Sequence, residues 1–380
     1  MRETRIYCDQ IVAPEGLVCG EVVIRDTVIH AVEARASASA GALDWTGHVL
    51  IPGLVDIHTD NYEKNYQPRP GAHWDAYGAA LAHDGQCASA GVTTVFDSLS
   101  LHGHKDGLDR GEALAPMIAA MDEAGADGAL RAEHLLHLRC EVTNPRLLPL
   151  LEPHVDHRRL KMLSVTDHTP GQRQTANLDR LRERMAANGR SDAHIQNFLD
   201  GRSEHRDPTV AAPNRRAVVG IAHEYGLPLA AHDDLTLEHV EESHRDGCTI
   251  SEFPVSLDAA RASKGYGMWV AMGGPNFVRG SSHSGNLSAR EAAEAGVLNI
   301  IASDYVPMSM IRTAFMLIDD FGWSPADALA TVARNPARSA GLADRGEIAS
   351  GQRADLVRVL RAPGGWPVPT EVWREGVRVA

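Results

Sequence analysis

The sequence is short of cysteine, of positive charge and of long apolar runs, and each shortage removes a class of protein. Its five cysteines (Cys8, Cys19, Cys87, Cys140 and Cys248) are scattered, odd in number and form no CxxC. Reduced thiols in a cytoplasmic protein are the expectation, and a disulfide framework is set aside. The opening MRETRIYCDQ has no apolar core of the signal-peptide kind, and no uncharged run long enough to cross a bilayer follows. Lysine and arginine number 37 against 50 Asp and Glu, a formal charge of −13. That balance argues against nucleic acid or an anionic membrane as the main partner. A polyanionic substrate would have to be met by a local cluster of Arg, Lys or metal. Also missing is a GxGxxG turn after the first apolar strand, which an open dinucleotide-binding sheet would show.

What is present is a rhythm. The first fifty residues alternate like short strands (TRIYCDQIVAP, GLVCGEVVIRDTVIHAVEA), and the end does the same (GEIASGQRADLVRVL, TEVWREGVRVA). Residues 1–52 and 341–380 are therefore read as one small β domain built from both termini. Between them, GLVDIHTD, GVTTVFDSLS, EHLLHLRCEV, LKMLSVTDH, LPLAAHDD, TISEFPVS, MWVAMGG and LNIIASDY alternate with helical patterns. Residues 53–340 thus have the strand count of a (β/α)₈ barrel of the TIM type, within an α/β fold class. A helical insertion is expected at about 171–216, where Leu178, Leu181 and Met185 fall at helical spacing. A lid over the site and a solvated hairpin are equal alternatives for it.

In such a barrel the reacting groups come from the C-terminal ends of the strands. His58 and Asp60 share a strand face, and about 6.6 Å between their Cα atoms lets both reach one ion. His137, Arg139 and Glu141 share a face of the third candidate strand. SVTDH ends in His168, LAAHDD carries His232, TISEFPVS carries Glu252 and IIASD ends in Asp304. Any one of these is more often a hydrogen-bonded structural residue. So many ionisable groups after apolar runs would be costly to bury without a counter-charge, and a divalent cation supplies one. Mixed imidazole and carboxylate donors suit zinc, iron or manganese rather than magnesium or calcium. A metal-activated hydrolase is the reading from residues alone.

The stretches IPGLVDIHTDNYEKNYQPRPGAHW, AEHLLHLRCEV, DHTPGQRQ, AAHDDLTLEHVEESH, GGPNFVRGSSHSGN, IIASDYVPMSM and GLADRGEIASGQRADLV span most of the chain in order. In them the chain resembles the amidohydrolase superfamily and, more narrowly, the PhnM family of phosphonate metabolism, the α-D-ribose 1-methylphosphonate 5-triphosphate diphosphatases. The resemblance implies a metal-binding barrel with a β-sandwich of both chain ends. It implies that water attacks the α-phosphorus of the ribose triphosphate, pyrophosphate leaves and the ribose keeps a 5-phosphate, in the carbon–phosphorus lyase pathway.

His58 and Asp60 match the first-strand motif, with Asp where many members have a second His. Glu141, His168, His232 and Asp304 complete the implied ligand set for one or two divalent transition ions, zinc first and iron or manganese as alternatives. Glu252 stands where other members usually offer His; metal binding, support of a ligand and a solvent-facing place all stay open for it. Asp304 is the expected general base, a helix N-cap being the alternative. Arg139 and Asp234 are candidate supports, Asp234 in preference to Asp233 if the strand continues past His232. His83 and Asp84, in a helical pattern, are read as supporting or structural.

Phosphate binding falls to the loops: Lys64 and Arg69 after the first strand, Arg173 in TPGQRQ, and Arg279 and His283 in GGPNFVRGSSHSGN, whose glycines could turn N–H groups to an anion without forming a Walker loop. The expected partner is a small phosphorylated sugar phosphonate, and a homo-oligomer is anticipated. Two rivals remain: the same scaffold cleaving a cyclic amide or deaminating a heterocycle, and a non-catalytic scaffold.

Overall fold

The computed structural model describes residues 2–105, 108–169, 171–187, 189–203, 208–282 and 286–380. Its centre is a near-closed barrel of eight parallel strands taken in chain order: β1 (Leu54–Thr59), β2 (Val92–Ser100), β3 (Glu133–Glu141), β4 (Leu160–Thr166), β5 (Leu229–His232), β6 (Ile250–Glu252), β7 (Trp269–Gly273) and β8 (Ile300–Ala302). β1 and β2 are buried at every position, so neither shows the clean polar alternation of a half-exposed strand. None of the helices is long and apolar enough to cross a membrane, among the described residues.

The chain divides into two compact units, residues 1–97, 117–135 and 299–380, and residues 98–116 and 136–298. In the first, both termini build one sheet. Val49–Pro52 pairs antiparallel with Leu356–Arg361, and Glu3–Ala13 pairs antiparallel with Gly16–Arg25. Ile6, Ile11, Val22, Ile24, Leu50, Leu356 and Trp373 fill its core. Gly53 carries the chain from this sheet into β1, where a Cβ would collide with the side chains of Thr93 and Asp355, so only glycine fits. The first and last barrel strands meet in this unit: Thr59 and Asp304 form a parallel bridge, and the Asp304 amide donates to the His58 carbonyl at 3.0 Å.

In the second unit the parallel register sets the strand ends level. Glu141 pairs with Thr166, and His232 with Glu252. Between β4 and β5 lie helices Leu178–Ala187 and Asp192–Ser203, packed on each other through Leu181, Met185, Ile195 and Leu199. Helix Pro208–Glu224 follows and packs on β4. The segment expected as an insertion is thus two helices and the start of a third.

Candidate metal centre and active site

In the first unit, alternation along β1 places Asp56 and His58 on one face, while Asp60, expected on the same strand face, lies just past the strand end as the residue before helix Asn61–Tyr66. His58 Nε2 stands 3.9 Å from Asp60 Oδ1. Asp56 lies behind them, fully buried, accepting from the amides of Ser303 (3.0 Å) and His58 (3.3 Å). Burial raises its pKa to about 6, against the pull of those hydrogen bonds. Asp304 follows β8 with φ +55°, a left-handed conformation that costs a non-glycine residue energy and turns the chain sharply. Its carbonyl accepts from the Asp60 amide at 2.6 Å, so the two carboxylate-bearing residues are tied through their backbones.

The second unit holds a denser group. Glu141, at the end of β3, takes His168 Nδ1 at 2.7 Å and lies 3.2 Å from His102 Nδ1 on the same oxygen. Burial alone would raise the Glu141 carboxyl; His168 and His102 overcome that and hold it well below the usual range. His232 Nδ1 meets Glu252 Oε2 at 3.1 Å, and burial lowers the His232 pKa. With a neutral ring whose Nδ1–H donates to Glu252, Nε2 carries a lone pair. That nitrogen lies 3.4 Å from Asp233 Oδ2, and His168 Nε2 lies 4.0 Å from the same oxygen. His168 turns Nδ1 to Glu141 and so leaves Nε2 on the side of Asp233. Two imidazole nitrogens and a carboxylate oxygen therefore converge, an arrangement a cation satisfies. The donor set fits a divalent transition metal.

Sequence reasoning placed the helper role on Asp234, on the condition that β5 ran on. β5 ends at His232, and Asp233 takes φ +59°, which swings its carboxylate back to His232 and His168. Asp234 instead ion-pairs with Arg173. Phe253, after Glu252, is left-handed as well at φ +53°. Such turns carry no signature in an Asp or Phe. His102, in a loop just past β2, was equally invisible, since no periodicity marks it. Glu252 is fully buried and holds His232, which closes the solvent-facing alternative.

The expected phosphate residues separate. Lys64 and Arg69 are exposed in the segment after β1, and Arg279 is exposed at the end of helix Gly274–Arg279. Arg173 is buried, its guanidinium on Asp234 and within 3.7 Å of Glu242. Arg139 is buried beside the His232 environment, where its charge lowers the imidazole pKa further. His283 lies outside the described residues.

A second His and Asp cluster sits in the first unit, under helix Ala76–Ser89. His134 Nδ1 contacts Asp97 Oδ2 at 3.0 Å and its Nε2 contacts Asp84 Oδ1 at 3.3 Å. His83 Nε2 contacts Asp97 Oδ1 at 2.8 Å, while Asn61 Nδ2 approaches His83 Nδ1 at 3.0 Å. All four ionisable side chains are fully buried. Burial opposes charge on His134, yet Asp97 and Asp84 raise its pKa to about 9; burial opposes charge on Asp97, yet His134 and His83 lower it to about 2.

Barrel and strand-end donors together define the class: residues 49–379 match the Amidohydrolase family, and the chain belongs to it, a family of metal-dependent hydrolases. Among curated proteins, the chain is 40% identical to the α-D-ribose 1-methylphosphonate 5-triphosphate diphosphatase of Escherichia coli K12, with 97% of this chain and 98% of that one covered. An imidazolonepropionase of Ruegeria pomeroyi is 23% identical over 84% of this chain and 81% of its own. N-acetyl-D-glucosamine-6-phosphate deacetylase from Mycobacterium smegmatis shares the fold at a TM-score of 0.64 and 16% identity, covering 99% of this chain and 100% of that chain.

Proposed function

We infer that this chain hydrolyses the triphosphate of α-D-ribose 1-methylphosphonate 5-triphosphate, releasing pyrophosphate and leaving the 5-phosphate, in phosphonate breakdown in the cytoplasm. One observation carries the reading: identity of 40% runs end to end with the diphosphatase of Escherichia coli. The strand-end donors supply the chemistry that the reaction needs.

Roles follow from placement at the strand ends. His58 at the end of β1 and Asp60 just past it, in the first unit, and His168, His232 and Asp233, in the second, are each proposed as holders of a divalent ion, zinc first. When bound, such an ion lowers the pKa of water to about 7 and polarises a phosphoryl oxygen. Glu141 and Glu252 take the Nδ1 protons of His168 and His232, fixing both rings with Nε2 presented. Asp304 is the proposed general base, accepting the proton of the attacking water as it closes on the α-phosphorus. Lys64, Arg69 and Arg279 are the exposed cations left to meet the phosphate chain, while Arg173 fixes Asp234.

The test is to incubate metal-loaded protein with the ribose triphosphate and measure pyrophosphate and α-D-ribose 1-methylphosphonate 5-phosphate. Stoichiometric pyrophosphate is expected. Ammonia from a heterocycle, with no pyrophosphate from the triphosphate, would overturn the assignment in favour of the deaminase chemistry.

A further inference from the structure

Lys64 rests on an aromatic ring, near enough to Asp60 and Asp304 for both to act on its charge. It lies in helix Asn61–Tyr66, one turn past Asp60, and its ammonium sits 4.0 Å from the centre of the Tyr305 ring. Lys64 is exposed along its length, yet partial desolvation of its ammonium outweighs Asp60 and Asp304, which raise its pKa, and lowers it. Tyr305 is half-buried and directly follows the left-handed Asp304, so the same turn that aims the expected base also sets the ring under Lys64. A ring face attracts an ammonium without neutralising it. The charge stays available while the long side chain loses its freedom.

We propose that Tyr305 is a positioning residue that holds Lys64 as an anion anchor for the phosphate chain of the substrate. The proposal rests on the phosphate-ester reading above for its ligand and on the Lys64–Tyr305 contact for its geometry. A lysine free in solvent spends entropy on each contact it makes; one laid on an aromatic face has already lost most of it. The phosphate is then met by a preset cation beside Asp304, where the reacting phosphorus is expected. The phenol contributes through its ring face rather than its hydroxyl, so phenylalanine should replace it and leucine should not.

The probe is inorganic tripolyphosphate, titrated calorimetrically into the metal-loaded protein, with steady-state kinetics on the ribose triphosphate alongside. Lys64→Met is expected to weaken tripolyphosphate binding about 10- to 100-fold and to flatten its dependence on salt. Tyr305→Leu should weaken it about 3- to 30-fold, and Tyr305→Phe should restore it to within about 2-fold of the parent. In kinetics the change should fall on KM rather than kcat. Unaltered metal content and far-ultraviolet dichroism certify that each variant is folded. Parent-like binding by folded Lys64→Met or Tyr305→Leu overturns the anchor, and so does an equal loss in the Phe and Leu variants. Because the calorimetry needs no turnover, a protein that binds tripolyphosphate through Lys64 but releases no pyrophosphate would defeat the diphosphatase reading and leave the anchor standing.

Discussion

Two clusters of histidine and carboxylate occur in this chain, alike in composition and opposite in how their protons are placed. Under helix Ala76–Ser89, both nitrogens of His134 face carboxylates, and His83 has a donor on Nδ1 and a carboxylate on Nε2. A trapped proton marks that cluster: His134 is held as an imidazolium between Asp97 and Asp84, with the His83 ring beside it. At the ends of β4 and β5, each ring turns Nδ1 to a glutamate, and both Nε2 atoms face one carboxylate oxygen of Asp233. Residue type does not separate a structural ion pair from a metal site. The partner of the second imidazole nitrogen does.

The comparison can be broken most decisively at His232. His232→Ala is expected to abolish turnover and to lower bound metal, read by elemental analysis of protein dialysed free of chelator. Full occupancy in that variant would show that the acceptor cluster is not the metal centre. Asp304→Asn comes next: metal content should hold while kcat falls by about 10²- to 10⁴-fold, the usual range for a general base. Unchanged kcat would move the base elsewhere. On the proton-filled side, His134→Gln leaves two buried carboxylates without their cation. It should cost about 3–5 kcal/mol of stability, read by urea titration, with metal per folded chain unaltered. Loss of metal from folded His134→Gln protein would erase the distinction between the clusters.

Much of this was legible in the sequence, for a simple reason. A strand of period two that ends in His or Asp declares which face it uses and, in a parallel barrel, which end it works at. His58, Asp60, Glu141, His168, His232 and Asp304 were named that way or through the resemblance, and as a ligand set they stay a proposal. What the sequence hid were the places where local backbone departs from the regular element. Asp233 was judged by continuing β5 one residue too far, and its left-handed turn reversed the side chain. Arg173 looked like a free phosphate ligand because nothing in TPGQRQ reveals that Asp234, far along the chain, claims its guanidinium. Asp97 and His134 lie mid-pattern in ordinary strands, and their charge state depends on Asp84 from a helix.

The smallest effect is a slope with pH, and it sharpens the contrast from the structural side. His134 has a pKa of about 9 in the folded chain against an ordinary 6.5. The folded state therefore binds the His134 proton more tightly than the unfolded state. Its stabilisation is complete below pH 6.5 and drains away as the pH rises through about 9. Asp97 contributes the opposite limb: its folded pKa of about 2 lies below the ordinary 3.8, so its share is present above pH 3.8 and is lost as the pH falls through about 2. Between those limits the cluster is fully formed. Thermal melts of the parent should thus decline between pH 7 and pH 10 more steeply than those of His134→Gln, and the gap between the two should close toward the alkaline end. Parallel curves across that range would mean that His134 carries no trapped proton, and the cluster under helix Ala76–Ser89 would then have to be reconsidered as an acceptor site like the one at the strand ends.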